Sequence, residues 1–130
     1  MSEDPKHILV VDDNEDIRSL LSLVLQKEGY HVFLAANGNE AIEIVKNNKL
    51  DLILLDVMMP GLSGLEVLSS IRGNKDKKIS EIPVMMITAK STVSDIDEAV
   101  ENGATSYIIK PFRNENLIQK VTAIFEEVRA

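Results

Sequence analysis

Five short runs of branched apolar residues alternate along this chain with five stretches of helical spacing, and that alternation leaves few folds open. The runs are Ile8–Val11, His31–Ala35, Leu52–Leu55, Val84–Ile87 and Ser106–Ile109. Each has the length of a strand and is too short for a helix. The helical stripes are Ile17, Leu20, Leu21, Val24 and Leu25; Ala41, Ile42, Ile44 and Val45; Leu65, Val67, Leu68 and Ile71; Ile96, Ala99 and Val100; and Leu117, Ile118, Val121, Ile124, Phe125 and Val128. Gly29 and Gly103 follow the first and fourth stripes, where a helix end at positive φ favours glycine. Asn37 with Glu40, and Ser63 with Glu66, have the spacing of a reciprocal helix cap.

Strands that alternate with helices form a parallel sheet covered on both faces. Right-handed crossovers among five strands favour a doubly wound α/β sandwich of three layers, for which strand order 2-1-3-4-5 is a common solution. One domain is expected over residues 7–128, after a short polar tail at 1–6. A chain of 130 residues leaves no room for a second globular unit. Connections are short except around Gly73–Ser80, which reads as a solvated loop carrying Lys75, Lys77 and Lys78.

Composition removes several function classes. An apolar content of 45% suffices for a buried core, yet no uninterrupted apolar segment approaches the about eighteen residues of a membrane span. The absence of cysteine excludes disulfides and thiolate metal sites, which suits a cytoplasmic protein. A net charge of −7 repels nucleic-acid phosphates, so neither direct nucleic-acid contact nor membrane contact is expected. His7 and His31 stand at strand starts and read as surface residues. Met58, Met59, Met85 and Met86 read as core filler.

The chemically informative residues stand where the apolar runs stop. Asp12 and Asp13 follow the first run, Asp56 the third, Thr88 the fourth and Lys110 the fifth. In a parallel sheet these ends share one edge. In the order 2-1-3-4-5, strands 1 and 3 are neighbours at the switch point where such folds bind ligands. Asp12, Asp13 and Asp56 would therefore meet there, although more than forty residues separate the pair from the third. Three carboxylates repel one another and favour a cation, and all-oxygen donors suit a hard ion: Mg2+, with Mn2+ as a substitute. Lys110 adds an ammonium and Thr88 a hydroxyl for the oxygens of an anion. Such a set suits phosphoryl transfer, with a carboxylate such as Asp56 as nucleophile. Singly, each aspartate is as readily a turn former or a helix cap, and Thr88 a capping hydroxyl. Their weight comes from falling at the same end of successive strands.

Val10-Val11-Asp12-Asp13-Asn14, Leu54-Leu55-Asp56-Val57-Met58-Met59-Pro60-Gly61, Ile87-Thr88-Ala89 and Lys110-Pro111-Phe112 together resemble the receiver domain of bacterial response regulators. The resemblance spans almost the whole chain in the family's order and spacing. It implies a flavodoxin-like (βα)5 fold and a phosphoacceptor switch of a two-component phosphorelay. Asp56 would accept a phosphoryl group from a phosphohistidine of a sensor histidine kinase or a histidine phosphotransfer protein. Asp13 matches the direct magnesium ligand, Asp12 the acid that holds the ion largely through water, and the backbone carbonyl of Met58 a further ligand. Asp56 completes the metal set. Lys110 matches the lysine that pairs with the bound phosphoryl group. Thr88 and Tyr107 match a switch pair whose hydroxyl moves to the phosphoryl oxygen while the ring turns inward. A cis Lys110–Pro111 bond is expected on the same ground. Taken alone, Tyr107 is equally well ordinary strand packing. Met58 and Lys90 stand where receivers vary and where hydrolysis is tuned. Neither offers a carboxylate or amide to orient water, so a long-lived phosphoform is expected, and Ala89 leaves the site open to partners.

The output implied is contact with a downstream protein through the fourth helix, fifth strand and fifth helix, by a monomer or a weak phosphorylation-dependent dimer. The fourth stripe is acidic (Asp95, Asp97, Glu98, Glu101), and Arg113–Leu117 lacks the mixed-charge pattern of receivers that pair to bind DNA. With Val128-Arg129-Ala130 ending the last stripe, the first reading is a stand-alone receiver similar to chemotaxis regulators, not an enzyme acting on outside substrates. The alternative is a receiver excised from a longer DNA-binding regulator or a hybrid histidine kinase. An aspartate-nucleophile phosphatase fits less well, since Met58 cannot act as a general acid and no cap domain is present. A flavin carrier would need a phosphate loop of small polar residues where this chain has Asp-Asp-Asn-Glu-Asp. A degenerate receiver would lack a site residue, and none is missing.

Overall fold

The computed structural model describes residues 5–129, with side chains through residue 127. Most of the expected tail at 1–6 and the Val128 side chain lie outside the described residues. Strands β1 (His7–Val11), β2 (His31–Ala35), β3 (Leu52–Leu55), β4 (Val84–Thr88) and β5 (Ser106–Ile109) form one parallel sheet in the order β2-β1-β3-β4-β5. Helices α1 (Glu15–Lys27), α2 (Gly38–Asn47), α3 (Gly64–Arg72), α4 (Lys77–Ser80), α5 (Val93–Glu101) and α6 (Asn114–Arg129) accompany them. This is the doubly wound, flavodoxin-like arrangement that the alternation implies.

Strand β1 shows why helices must cover both faces. Leu9 and Val11 enter one apolar cluster, Ile8 and Val10 the other, as the two-residue period of a strand requires. The first cluster takes Ala41 and Val45 from α2, Val67, Leu68 and Ile71 from α3, and Ala99 from α5. The second takes Leu21 and Leu25 from α1, and Leu117 and Val121 from α6. Strands β3 and β4, central and covered twice, are buried at every position.

Three sequence expectations need correction. The Gly73–Ser80 segment is not all loop: Asp76 Oδ1 accepts from Lys78 N at 2.9 Å and starts the single turn α4. The surface expected on the fourth helix, fifth strand and fifth helix is consequently α5–β5–α6. Met59, Met85 and Met86 are core, but Met58 is 58% exposed: in the loop beyond β3 its side chain turns outward while that of Met59 turns in. Ser63 and Glu66 close a reciprocal cap, whereas the Glu40 carboxylate accepts from Ala36 N at 2.8 Å and not from Asn37. Gly29 and Gly103 take φ of +93° and +100°, as helix-ending glycines should.

At the amino edge of the sheet, Arg72 ties the end of α3 to the segments leading into β4 and β5. Its Nη1 donates to Ser80 O at 3.0 Å and Ile82 O at 2.6 Å, and its Nε donates to Gly103 O at 2.9 Å. Burial pushes its pKa down, yet a guanidinium stays charged, and these carbonyls are what solvate it.

Candidate functional site

The site begins where the sheet ends. Asp12 N still donates to Ala35 O at 3.2 Å and Asp56 N to Val11 O at 3.0 Å, so both aspartates leave the carboxyl edge at one level. The chain then folds back onto Asp12. Asn14 N donates to Asp12 Oδ1 at 2.9 Å, and Arg18 Nη1 donates to Asp12 O at 2.7 Å. The Asn14 side chain also caps α1 by accepting from Asp16 N and Ile17 N. On the other side, Asp56 Oδ1 accepts from Met58 N at 3.1 Å. Gly64 starts α3 directly beneath this turn, with its N–H donating to Val57 O at 2.9 Å. A Cβ at Gly64 would sit 2.8 Å from both the Asp56 carbonyl carbon and Val57 Cα, so only glycine allows the approach.

One carboxylate oxygen from each of Asp12, Asp13 and Asp56 lies within 4.8 Å of the others. Asp12 and Asp56 are buried, while Asp13 faces solvent. Lys110 Nζ bridges the two buried acids, at 2.8 Å from Asp12 Oδ2 and 3.1 Å from Asp56 Oδ2. Burial raises the Asp56 pKa and the Asp12 charge adds to it, against the Met58 N–H and the Lys110 ammonium. Burial alone would depress Lys110, but Asp12 and Asp56 together outweigh it and push its pKa up. Three carboxylates against one ammonium leave two negative charges, on hard oxygen donors. A divalent cation fits that set.

Thr88 and Tyr107 make no hydrogen bond to the carboxylates; they meet each other through Lys90. Thr88 is fully buried at the end of β4, and its Oγ1 accepts from Lys90 N at 3.2 Å. Tyr107, half-buried on β5 opposite Met86, donates from its hydroxyl to Lys90 O at 2.7 Å. Burial raises the Tyr107 pKa, with Asp95 and Asp56 adding to it. The Lys110–Pro111 peptide is cis. The structure thus gathers Asp12, Asp13, Asp56, Lys110 and the Met58 N–H, and holds Thr88 and Tyr107 farther out, on Lys90. Sequence reasoning misses Arg18 and the Lys90 peptide. Both act through main-chain hydrogen bonds, which leave no spacing to read.

Fold and site define a doubly wound α/β domain with a cation-ready carboxylate cluster at its switch point. Residues 8–122 match the response regulator receiver domain, and the chain belongs to that family, the receiver of two-component signalling systems. It is 40% identical over 121 residues to the uncharacterized transcriptional regulatory protein YkoG of Bacillus subtilis, covering 93% of this chain and 51% of that protein. The chain therefore spans about half the length of this relative. Among solved structures, the chemotaxis protein CheY4 of Vibrio cholerae has a TM-score of 0.87 at 32% identity, covering 92% of this chain and 98% of that one. A CheY-like receiver domain protein from Methanospirillum hungatei gives 0.86 at 28% identity, covering 95% of each chain. Receiver domains bind a divalent metal at the acidic cluster, and Asp12, Asp13 and Asp56 could hold one here. Among the described residues, no helix is long and apolar enough to cross a membrane.

Proposed function

We propose that this receiver domain, spanning residues 7–128, is a phosphoacceptor switch of a phosphorelay, set at Asp56. The observation that carries the proposal is Lys110 bridging Asp12 and Asp56 inside the three-carboxylate cluster. A carboxylate oxygen of Asp56 attacks the phosphorus of a phosphohistidine on a sensor histidine kinase or a histidine phosphotransfer protein. The O–P bond forms, the N–P bond breaks, and the imidazole nitrogen leaves with its electron pair. Asp13, Asp56 and the Met58 carbonyl would hold Mg2+ directly, with Asp12 acting largely through water; Mn2+ would substitute. When bound, the ion neutralises charge on the transferred oxygens.

The residues around Asp56 then respond. Lys110 shifts from Asp56 Oδ2 to a phosphoryl oxygen while keeping Asp12. The Thr88 hydroxyl turns from Lys90 N to donate to the same group. Lys90 loses an acceptor for its N–H, and its carbonyl is the group that holds Tyr107. The change reaches the α5–β5–α6 face, where Val93, Val100 and Ile109 are exposed beside Asp97 and Glu101. An apolar and acidic face suits a protein partner better than nucleic acid. Phosphorylation shifts the population of that surface. The YkoG relative favours a second reading of the output alone, a receiver module that controls transcription.

Incubation with acetyl phosphate and Mg2+ should place one acid-stable, base-labile phosphoryl group on the chain. Omitting the cation or making Asp56→Asn should abolish it. No labelling, or labelling that survives the substitution, rejects the proposal.

A further inference from the structure

A cavity of about 580 Å3 opens at the amino edge of the sheet, between the end of α2 and the turn α4. Leu50 precedes β3 and Ile82 precedes β4, so the cavity lies at the end of these strands opposite Asp56. Its floor is apolar: Val45, Leu50 and Ile82 are buried, and Ile79 is half-buried. Its rim carries Lys46, Lys49 and Lys78 against one carboxylate, Asp76. That carboxylate keeps its charge, and its Oδ1 caps α4 by accepting from Lys78 N. Among the described residues the only ion pairs are the two made by Lys110, so none of the three rim ammonium groups is held in one, and the rim keeps an excess of two positive charges. On a chain of net charge −7, this is a local reversal of sign over an apolar surface. The volume falls within the roughly 300–1,000 Å3 of small-ligand pockets, which likewise set a few polar groups over an apolar lining.

We infer that this cavity binds a small amphipathic organic anion. Its apolar body rests on the Leu50–Ile82 floor, and its carboxylate, sulfonate or phosphate lies among Lys46, Lys49 and Lys78. Such binding would be independent of Asp56, because the two sites occupy opposite edges of the sheet. Lysine, with a flexible stem and a compact charge, suits an anionic head of variable geometry better than a fixed guanidinium fork would.

The test uses 8-anilinonaphthalene-1-sulfonate as probe, added to the full chain with Mg2+ at low ionic strength. Amide shift changes should concentrate at Leu50, Ile79 and Ile82 and leave Asp12 and Asp56 unmoved. The double variant Lys46→Glu, Lys78→Glu should bind the probe at least tenfold more weakly with an unchanged thermal midpoint. Shifts centred elsewhere overturn the inference, as does a folded double variant that binds within twofold of the original chain. The shift map on the unaltered chain decides the question by itself if the double variant is unstable.

Discussion

Replacing Gly64 by alanine tests whether the close meeting of α3 and β3 shapes the site. The new Cβ would stand 2.8 Å from the Asp56 carbonyl carbon and from Val57 Cα, and nearer still to Asp56 O. Ordinary contact begins at 3.4 Å, so helix and loop must part by at least about 0.6 Å. These neighbours are backbone atoms and cannot swing aside. Overpacking of this kind costs about 1–3 kcal/mol. Parting also stretches the Gly64 N to Val57 O bond, worth about 1 kcal/mol. The expected loss is therefore about 2–4 kcal/mol, out of a domain stability of about 5–15 kcal/mol. Helix propensity alone predicts the opposite sign, a gain of up to about 1 kcal/mol for alanine over glycine. Urea denaturation reads the sign directly, provided the slope is unchanged. The same displacement carries the main chain of Asp56, so labelling by acetyl phosphate should slow roughly tenfold or more. A variant as stable as the original chain would refute the steric reasoning. Gly73→Ala is the control, because its Cβ comes no nearer than 3.3 Å to Ser69 O and should cost less than about 1 kcal/mol.

Arg72→Met keeps the apolar stem but strips the donors from Ser80 O, Ile82 O and Gly103 O; urea denaturation should show a loss of about 2–4 kcal/mol, and Arg72→Lys should recover less than half, since one ammonium cannot span all three carbonyls. Burial, with Asp12 adding to it, raises the Asp56 pKa, so this carboxyl favours the fold only while protonated. Its contribution is present below the unfolded value of 3.8 and is lost as pH rises through the folded one. Asp56→Asn should therefore raise the thermal midpoint by several degrees at neutral pH in a chelator, and no gain would count against a repulsive cluster. On the proposed reading, Met58→Asn supplies an amide beside the acyl phosphate and should shorten its half-life several-fold, measured as loss of label after the donor is removed. An unchanged half-life would show that water orientation does not set the lifetime.

What the sequence reveals depends on whether a feature repeats. Strands β1, β3 and β4 are legible because burial on both faces demands unbroken apolar runs such as Leu52–Leu55. The meeting of Asp12 with Asp56 is legible because strand order alone places β1 beside β3. The turn α4 is not, since one turn capped by Asp76 buries no stripe. Met58 is misread because residue type says nothing about which way a loop side chain turns. Arg18 and Arg72 work by donating to main-chain carbonyls, and no side-chain pattern records where a carbonyl will be. Gly64 is not legible either, since its constraint is the close approach of α3 to the Asp56–Val57 backbone, which no sequence pattern records.

The responsiveness proposed for Thr88 follows from how nearly balanced its two bonding states are. At rest its hydroxyl accepts from Lys90 N, an ordinary neutral bond worth about 1 kcal/mol net. Donating to a phosphoryl oxygen instead forms a charge-assisted bond worth about 1.5–3 kcal/mol. The difference is small, on the order of a tenfold change in population, so neither state is locked. Thr88 is fully buried, so its hydroxyl has no water to turn to when it leaves Lys90 N. The loss of that acceptor falls on the same residue whose carbonyl, one peptide further along, accepts the Tyr107 hydroxyl at 2.7 Å. On the proposed reading, a single residue would carry the change from a buried hydroxyl beside the acidic cluster to an aromatic side chain on β5. That arrangement needs no motion of the sheet, whose central strands β3 and β4 are buried at every position.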